Sequence, residues 1–231
     1  MKFSSAFAKS FRVPSLNDRY WGIQGNPDLK PEKGNNLELG AEFVFIDSDC
    51  QTTVGVNTFY MNVDNWIEWR NYGIWKAKNV QEVVSKGIEF QFRTCFPWNK
   101  LYVEFGLNYT FNPVKAVKTM DETGVLNRQM NYVPRNMGNS FSTLKYKNWQ
   151  FFADGQYTGK RFTDDFGDSL PGYFILNSGI SRIIKLNQHK FDFTFSANNL
   201  LNTDYQNEKY YAMPGRFYRL GIKYDLPVIQ K

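Results

Sequence analysis

The sequence predicts an all-β fold: about ten antiparallel strands of a barrel that crosses a membrane. Three observations lead there. First, apolar and polar side chains alternate along strand-length segments. In the clearest one, Leu101, Val103, Phe105, Leu107, Tyr109 and Phe111 alternate with Tyr102, Glu104, Gly106, Asn108 and Thr110. Successive side chains of a strand point to opposite faces, so this segment has one greasy face and one polar face. Second, the segments run to roughly 9–12 residues, longer than an ordinary soluble strand and close to the ~9–11 that a tilted membrane strand needs. Third, short and long connections alternate, as they do where tight periplasmic turns and long extracellular loops join the strands of an outer-membrane barrel. A soluble sandwich would turn the greasy face inward and has no reason to sort its loops by length.

The strands are expected at about 2–12, 36–47, 52–64, 84–96, 100–112, 136–147, 149–160, 172–185, 190–201 and 215–226. The short connections fall at 47–51, 97–100, 147–148 and 186–190, the long ones at 13–35, 65–83, 113–135, 161–171 and 202–214. In the fourth strand Ile88, Phe90, Phe92 and Phe96 oppose Glu89, Gln91 and Arg93. In the seventh, Trp149, Phe151, Ala153 and Tyr157 oppose Gln150, Asp154, Gln156 and Lys160. The ninth sets Phe191, Phe193, Phe195 and Ala197 against Asp192, Thr194, Ser196 and Asn198, and the last sets Tyr218, Leu220, Ile222, Tyr224 and Leu226 against Arg219, Gly221 and Lys223. The sixth and eighth strands alternate less cleanly. The third needs a change of phase, which a bulge near Thr58 would supply.

Composition agrees. Aromatic residues make up 18% of the chain, a share suited to pleated, half-exposed surfaces and membrane girdles. Mean hydropathy is −0.51 and no apolar run reaches the length of a transmembrane helix, which barrel strands do not require. The net charge of +6 is scattered over the chain without a basic run, which argues against nucleic acid as a partner. The opening, MKFSSAFAKSF, lacks a signal peptide's apolar core and cleavage site, so Met1 is expected to start either a cytosolic protein or a fragment whose true start was removed.

Three segments carry a resemblance: SFRVPSLNDRYW (Ser10 to Trp21) with GNPDLKPEKGNNLELGAEF (Gly25 to Phe43), NNLLNTDY (Asn198 to Tyr205), and MPGRFYRLGIKYDL (Met213 to Leu226). In content and order they resemble the C-terminal half of a TonB-dependent outer-membrane receptor. The resemblance implies a plugged barrel of about 22 strands, of which this chain, residues 1–231, would be the C-terminal portion without the plug domain and first strands. It also implies energy-coupled uptake of a scarce chelated nutrient (a ferric siderophore, haem or a cobalamin-like compound) and location in the outer membrane of a Gram-negative bacterium. The implied partners are that bulky ligand, the lipid bilayer, the plug domain and, through it, TonB. The tail from Pro227 to Lys231 departs from the family's usual aromatic ending. Two other readings stay open: a soluble β-rich carbohydrate- or ligand-binding module, and a complete ten-stranded barrel.

No enzyme constellation is present and no cofactor is called for. The single histidine, His189, reads as a solvated turn residue, so a histidine-based triad or metal site has no second ligand. Cys50 and Cys95 fall at periplasmic strand ends. Two free thiols are the expected state, with a disulfide the alternative if their Cα atoms lie within about 7 Å. Asp28 and Glu32 are expected to hold the loop around Pro27 and Pro31 by capping amides, and Arg216 reads as a solvated rim residue or an anchor to a carboxylate. Glu38, Glu42, Glu89, Gln91, Glu104 and Asn108 would line the lumen, facing plug and water. Ligand contacts are expected on the long loops, where tryptophan and arginine are the usual anchors. The candidates are Trp66, Trp69, Arg70, Tyr72 and Trp75 on one loop, Arg128, Tyr132 and Arg135 on the next, and Arg161 and Phe166 on the one after. For Trp66 and Trp69 an upper aromatic girdle is the competing role.

Overall fold

The computed structural model describes residues 1–47, 50–71, 73–119, 126–164 and 166–225. Its elements are β1 (Lys2–Arg12), α1 (Leu16–Tyr20), β2 (Glu32–Asp47), β3 (Cys50–Asn71), β4 (Trp75–Trp98), β5 (Leu101–Phe111), β6 (Val114–Thr119), β7 (Asn136–Tyr146), β8 (Trp149–Thr158), β9 (Arg161–Phe162), β10 (Ser169–Leu170), β11 (Tyr173–Leu186), β12 (His189–Asn198) and β13 (Phe217–Asp225). Ten of these strands pair antiparallel in chain order, β1-β2-β3-β4-β5-β7-β8-β11-β12-β13, with β6 added onto β4 and β9 and β10 forming a small sheet of their own. The sheet does not close on itself: β1 and β13 are its edges. That removes the complete ten-stranded barrel as a description of this sheet.

The register puts the alternation on one continuous surface. Phe105 of β5 lies opposite Thr94 of β4 and Ser142 of β7, and Phe195 of β12 lies between Ile180 of β11 and Leu220 of β13. This apolar face is exposed, with Phe3 at 72% and Leu220 at 82%. A soluble module would bury it, so the structure favours the barrel-wall reading. The opposite face is polar. Glu38, Glu42, Asn57, Glu89 and Gln91 line one shallow groove on it, and Gln91, Arg93, Tyr102 and Glu104 line the next. Asn108 donates to Asn139 Oδ1 at 2.9 Å on the same face. The expected polar-face residues therefore do share a face. Phenylalanines interrupt it where a glycine lies opposite: Phe141 lies over Gly106 and Phe152 over Gly179. A Cβ at either glycine would collide with the ring, so only glycine allows the rings to lie flat on the neighbouring strand.

The short connections at 98–101, 146–149 and 186–189 are two-residue hairpins, each with a left-handed residue, Asn99 (φ 56°), Lys147 (φ 54°) and Asn187 (φ 54°). Such turns match the twist of the strands they join. The turn tip at 48–49 lies outside the described residues.

Three expectations are corrected. Residues 65–83 are not a loop: β3 runs to Asn71 and β4 starts at Trp75, so the hairpin continues beyond its neighbours, with β6 and the loop around α1 against it. The phase change lies between Val63 and Ile67, where the register shifts twice, and Thr58 pairs regularly with Ile88. An inserted residue breaks the period-of-two pattern, which is why these strand ends resemble a loop in sequence. The cysteines are also paired. Cys50 and Cys95 form a disulfide with Cα atoms 5.5 Å apart, tying β3 to β4 near the short-turn end.

Candidate functional site

The long loops and the tall β3–β4 hairpin build a crown at one end of the sheet. Its base is an ion-pair cluster. Arg12, the last residue of β1, meets Glu32, the first of β2, through two bonds of 2.7 and 2.6 Å. Glu32 also accepts the Ile67 N–H of β3 at 2.8 Å. Of the two carboxylates expected to cap amides here, Glu32 does so. Asp28 does not: its own N–H is capped by the Asn26 side chain at 3.0 Å.

Above this cluster, Ser15 starts α1 with a capping box, its hydroxyl accepting from the Asp18 N–H while the Asp18 carboxylate accepts from the Ser15 N–H. Asp18 is buried and also accepts the Trp69 indole N–H at 3.0 Å. Burial alone would raise its pKa. The hydrogen bonds from Ser15 and Trp69 and the charge of Arg12, 3.6 Å away, outweigh that and hold the carboxyl below its ordinary value. Beneath lies a small core of Leu29, Ile67 and Ala77, against which Trp69 packs. The loop is stitched to the hairpin by Ala77 N–H to the Gln24 carbonyl (3.2 Å) and by Asn79, which bonds both the N–H and the carbonyl of Lys30. An open cleft of about 530 Å³ results, lined by Ser15, Asn17, Asp18, Trp21, Gln24, Trp69 and Trp75. Three indoles and a carboxylate make it a surface for stacking on a flat or ring-shaped ligand, with polar groups to orient it.

Of the sequence-predicted candidates, the structure brings Trp69 and Trp75 into this cleft. Trp66 faces a second core, made by Val83, Val114, Ala116 and Met130. Arg70 is buried beside Glu68, Nε to Oε2 3.0 Å. Arg128 stacks on Phe162 at 4.2 Å and donates to the Asp164 carbonyl. Arg161, 4% exposed, spends its donors on the carbonyls of Gln206, Asn207 and Pro171 and lies over Tyr173, so it ties two loops together. Tyr132, Arg135 and Phe166 are exposed on the loops. Tyr72 lies outside the described residues. Trp21, Asn17 and Gln24 were not singled out from sequence. The signal for them was the Ser15-x-x-Asp18 spacing, which announces a helix start and hence a folded loop.

The last loop is held by Asn199. It is 3% exposed, gives its side-chain N–H to the carbonyls of Thr203 and Pro214, and accepts the Thr203 N–H. Arg216 donates to the Leu200 carbonyl at 3.3 Å rather than to a carboxylate. His189 is not simply solvated: Nδ1 lies 2.6 Å from the Tyr224 hydroxyl and the rings stack.

Comparison with known proteins accounts for the architecture. The profile of the family described as "TonB dependent receptor-like, beta-barrel" matches residues 2–200. The vitamin B12 transporter BtuB of Vibrio vulnificus (strain YJ016) is 25% identical over 97% of this chain, and that of Photobacterium profundum is 24% identical over 97%. In both cases the chain spans 35% of the relative's length, about a third. Among solved structures, the unliganded ferric citrate transporter FecA superposes with a TM-score of 0.75 at 17% identity, covering 96% of this chain and 36% of that one. The siderophore receptor PiuA from Acinetobacter baumannii gives 0.71 at 20%, covering 95% and 33%. At these identities the structures speak for the fold alone. Because the family profile spans most of the chain and the sheet has the register of a barrel wall, this protein belongs to the TonB-dependent receptor family.

Proposed function

We propose that this chain is a sector of an outer-membrane receptor barrel that imports a scarce chelated nutrient, with energy delivered by TonB through a plug domain. The observation that carries the reading is the indole-lined cleft of Trp21, Trp69 and Trp75 at the long-loop end of a family barrel wall. The long-loop end then faces the outside and the short-turn end the periplasm. The disulfide between Cys50 and Cys95 suits that oxidising compartment. Glu38, Glu42, Glu89, Gln91, Glu104 and Asn108 meet the plug and water. Trp75, Trp21, Tyr132, Arg135 and Phe166 remain free to meet ligand. Arg70, Arg128 and Arg161 shape the loops that present them. Tyr72 is proposed as a contact on its sequence position alone.

The B12 transporters among the relatives and the iron and siderophore receptors among the structural neighbours define the panel to test. Cells carrying the intact protein are given radiolabelled cobalamin, ferric siderophores and haem, with and without a functional TonB. One class should accumulate only with TonB, and Trp75→Ala with Arg135→Ala should lower that uptake at least about tenfold. Uptake of no class, or uptake unchanged in the double variant, overturns the reading.

A further inference from the structure

The apolar face holds one side chain that does not belong to it by composition. It is bounded at the long-loop end by Phe7, Leu37, Tyr60, Ile88, Phe111 and Tyr157, and at the other end by the short turns. Apart from Asp47, which closes β2 at its turn, and Lys86, which pairs with Tyr60 at the long-loop bound, Arg182 is the only charged residue on this face among the described residues within that span. The register fixes its side: Arg182 lies opposite Trp149 of β8 and Phe193 of β12, between Ile180 and Ile184 of its own strand. Its guanidinium sits 4.7 Å from the Trp149 ring centroid.

A second cation stands beside it. Lys147 lies in the hairpin turn between β7 and β8, with Nζ 5.3 Å from the Tyr146 ring, and Tyr146 is paired with Trp149. The turn is fastened next to Arg182, because Ile183 gives its N–H to the Asn148 carbonyl at 2.9 Å. Among the described residues no carboxylate pairs with either cation. Two cations and two aromatics thus form one group at the short-turn edge of a surface otherwise given to hydrocarbon.

An arginine facing lipid is costly at the bilayer centre and tolerated near the interface. It is satisfied best by an anion whose oxygens match its forked donors. Stacking on an indole face holds the guanidinium plane and leaves those donors free. We propose that Arg182, Lys147 and Trp149 form a binding site for the phosphate head group of an anionic phospholipid in the leaflet at the short-turn end. The proposal rests on the membrane reading above for its leaflet, and on nothing in the crown.

The test uses the purified intact protein in mixed micelles of phosphatidylglycerol and phosphatidylcholine, with retained lipid read by native mass spectrometry. Phosphatidylglycerol should be retained in preference. Arg182→Gln should weaken that retention about tenfold, and Arg182→Lys, which keeps charge but loses the fork, should fall between. Heat-modifiable migration in gels shows whether each variant folds, and Trp149→Leu, which leaves both cations, should also lose preference. Equal retention by wild type and Arg182→Gln overturns the site. Displacement by inorganic phosphate alone, or a preference for lipid A over phosphatidylglycerol, overturns the choice of ligand. A protein that takes up no nutrient yet shows this lipid preference would sink the transport reading and leave the lipid site standing.

Discussion

From the short turns up to about Phe111, the strands hold most of their large apolar residues on the outward face, many of them exposed: Phe45 at 60%, Phe195 at 44%, Ile222 at 71%. Beyond that level the same chain behaves like an ordinary globular protein. Leu29, Ile67, Ala77, Val83, Val114, Ala116 and Met130 are buried there, with Asp18 and Glu32 among them, each charge met by specific partners. The difference is the one that two different solvents impose, and it teaches how the proposed membrane placement divides the chain. In the wall, backbone ladders satisfy each inner strand, and in the membrane placement proposed above lipid supplies the apolar environment. In the crown, water surrounds the loops, so side chains have to bury one another and every desolvated charge needs a partner.

That contrast can be broken most severely at Glu32. Removing it with Glu32→Ala takes its nearest carboxylate from the half-exposed Arg12 and uncaps the buried Ile67 N–H, and an unsatisfied buried donor costs about 1–3 kcal/mol on top of about 1 kcal/mol for a part-exposed ion pair. The crown should loosen while the wall persists. Limited proteolysis should cut within 13–31, with heat-modifiable migration unchanged. If the wall unfolds as well, the two regions are not separable.

Next comes Phe195→Lys. A lysine facing lipid near mid-bilayer costs about 2–4 kcal/mol, whereas on a water-exposed face the change is nearly neutral. Urea unfolding of the intact protein in lipid bilayers decides between them, and a neutral result counts against the wall reading.

Asp18 provides a pH test of about 1 kcal/mol, the size of an ordinary lost helix cap. Its pKa is depressed in the folded crown. The stabilisation is therefore complete above the ordinary carboxylate pKa of about 4 and fades as pH falls below it, through the folded value. Tryptophan fluorescence, reporting Trp69, should show an acid transition below about pH 4 that Asp18→Asn abolishes. A transition at neutral pH would contradict the assignment.

The smallest effect is expected on the polar face. Arg93 bonds Glu104 there but is largely exposed, so Arg93→Ala should cost no more than about 1 kcal/mol. A much larger loss would mean that this face is dry and packed, as the crown is.

The ten-strand order was legible from the sequence, because a period of two carried over about ten residues has few other meanings. The loop end was not. At 65–83 the twin register shifts scrambled the alternation, and strand looked like loop. Among the candidate residues, type predicted chemistry but not exposure. Arg161 and Arg135 are indistinguishable as letters, yet one is 4% exposed with its donors on main-chain carbonyls and the other faces solvent. The pairing of Cys50 with Cys95 was equally open until β3 and β4 were set side by side.

What the sequence determined alone is therefore what neighbours along the chain decide: the strands, the two faces, the short turns, and, from three ordered motifs, the family. What only the tertiary structure decided is what distant segments decide by meeting: the cleft of Trp21, Trp69 and Trp75, the clamp on Asp18, and the lone arginine on the apolar face. Alternation is a local property, fixed by backbone geometry over a few residues. Burial and partnership depend on which loop folds over which strand, and no periodicity records that.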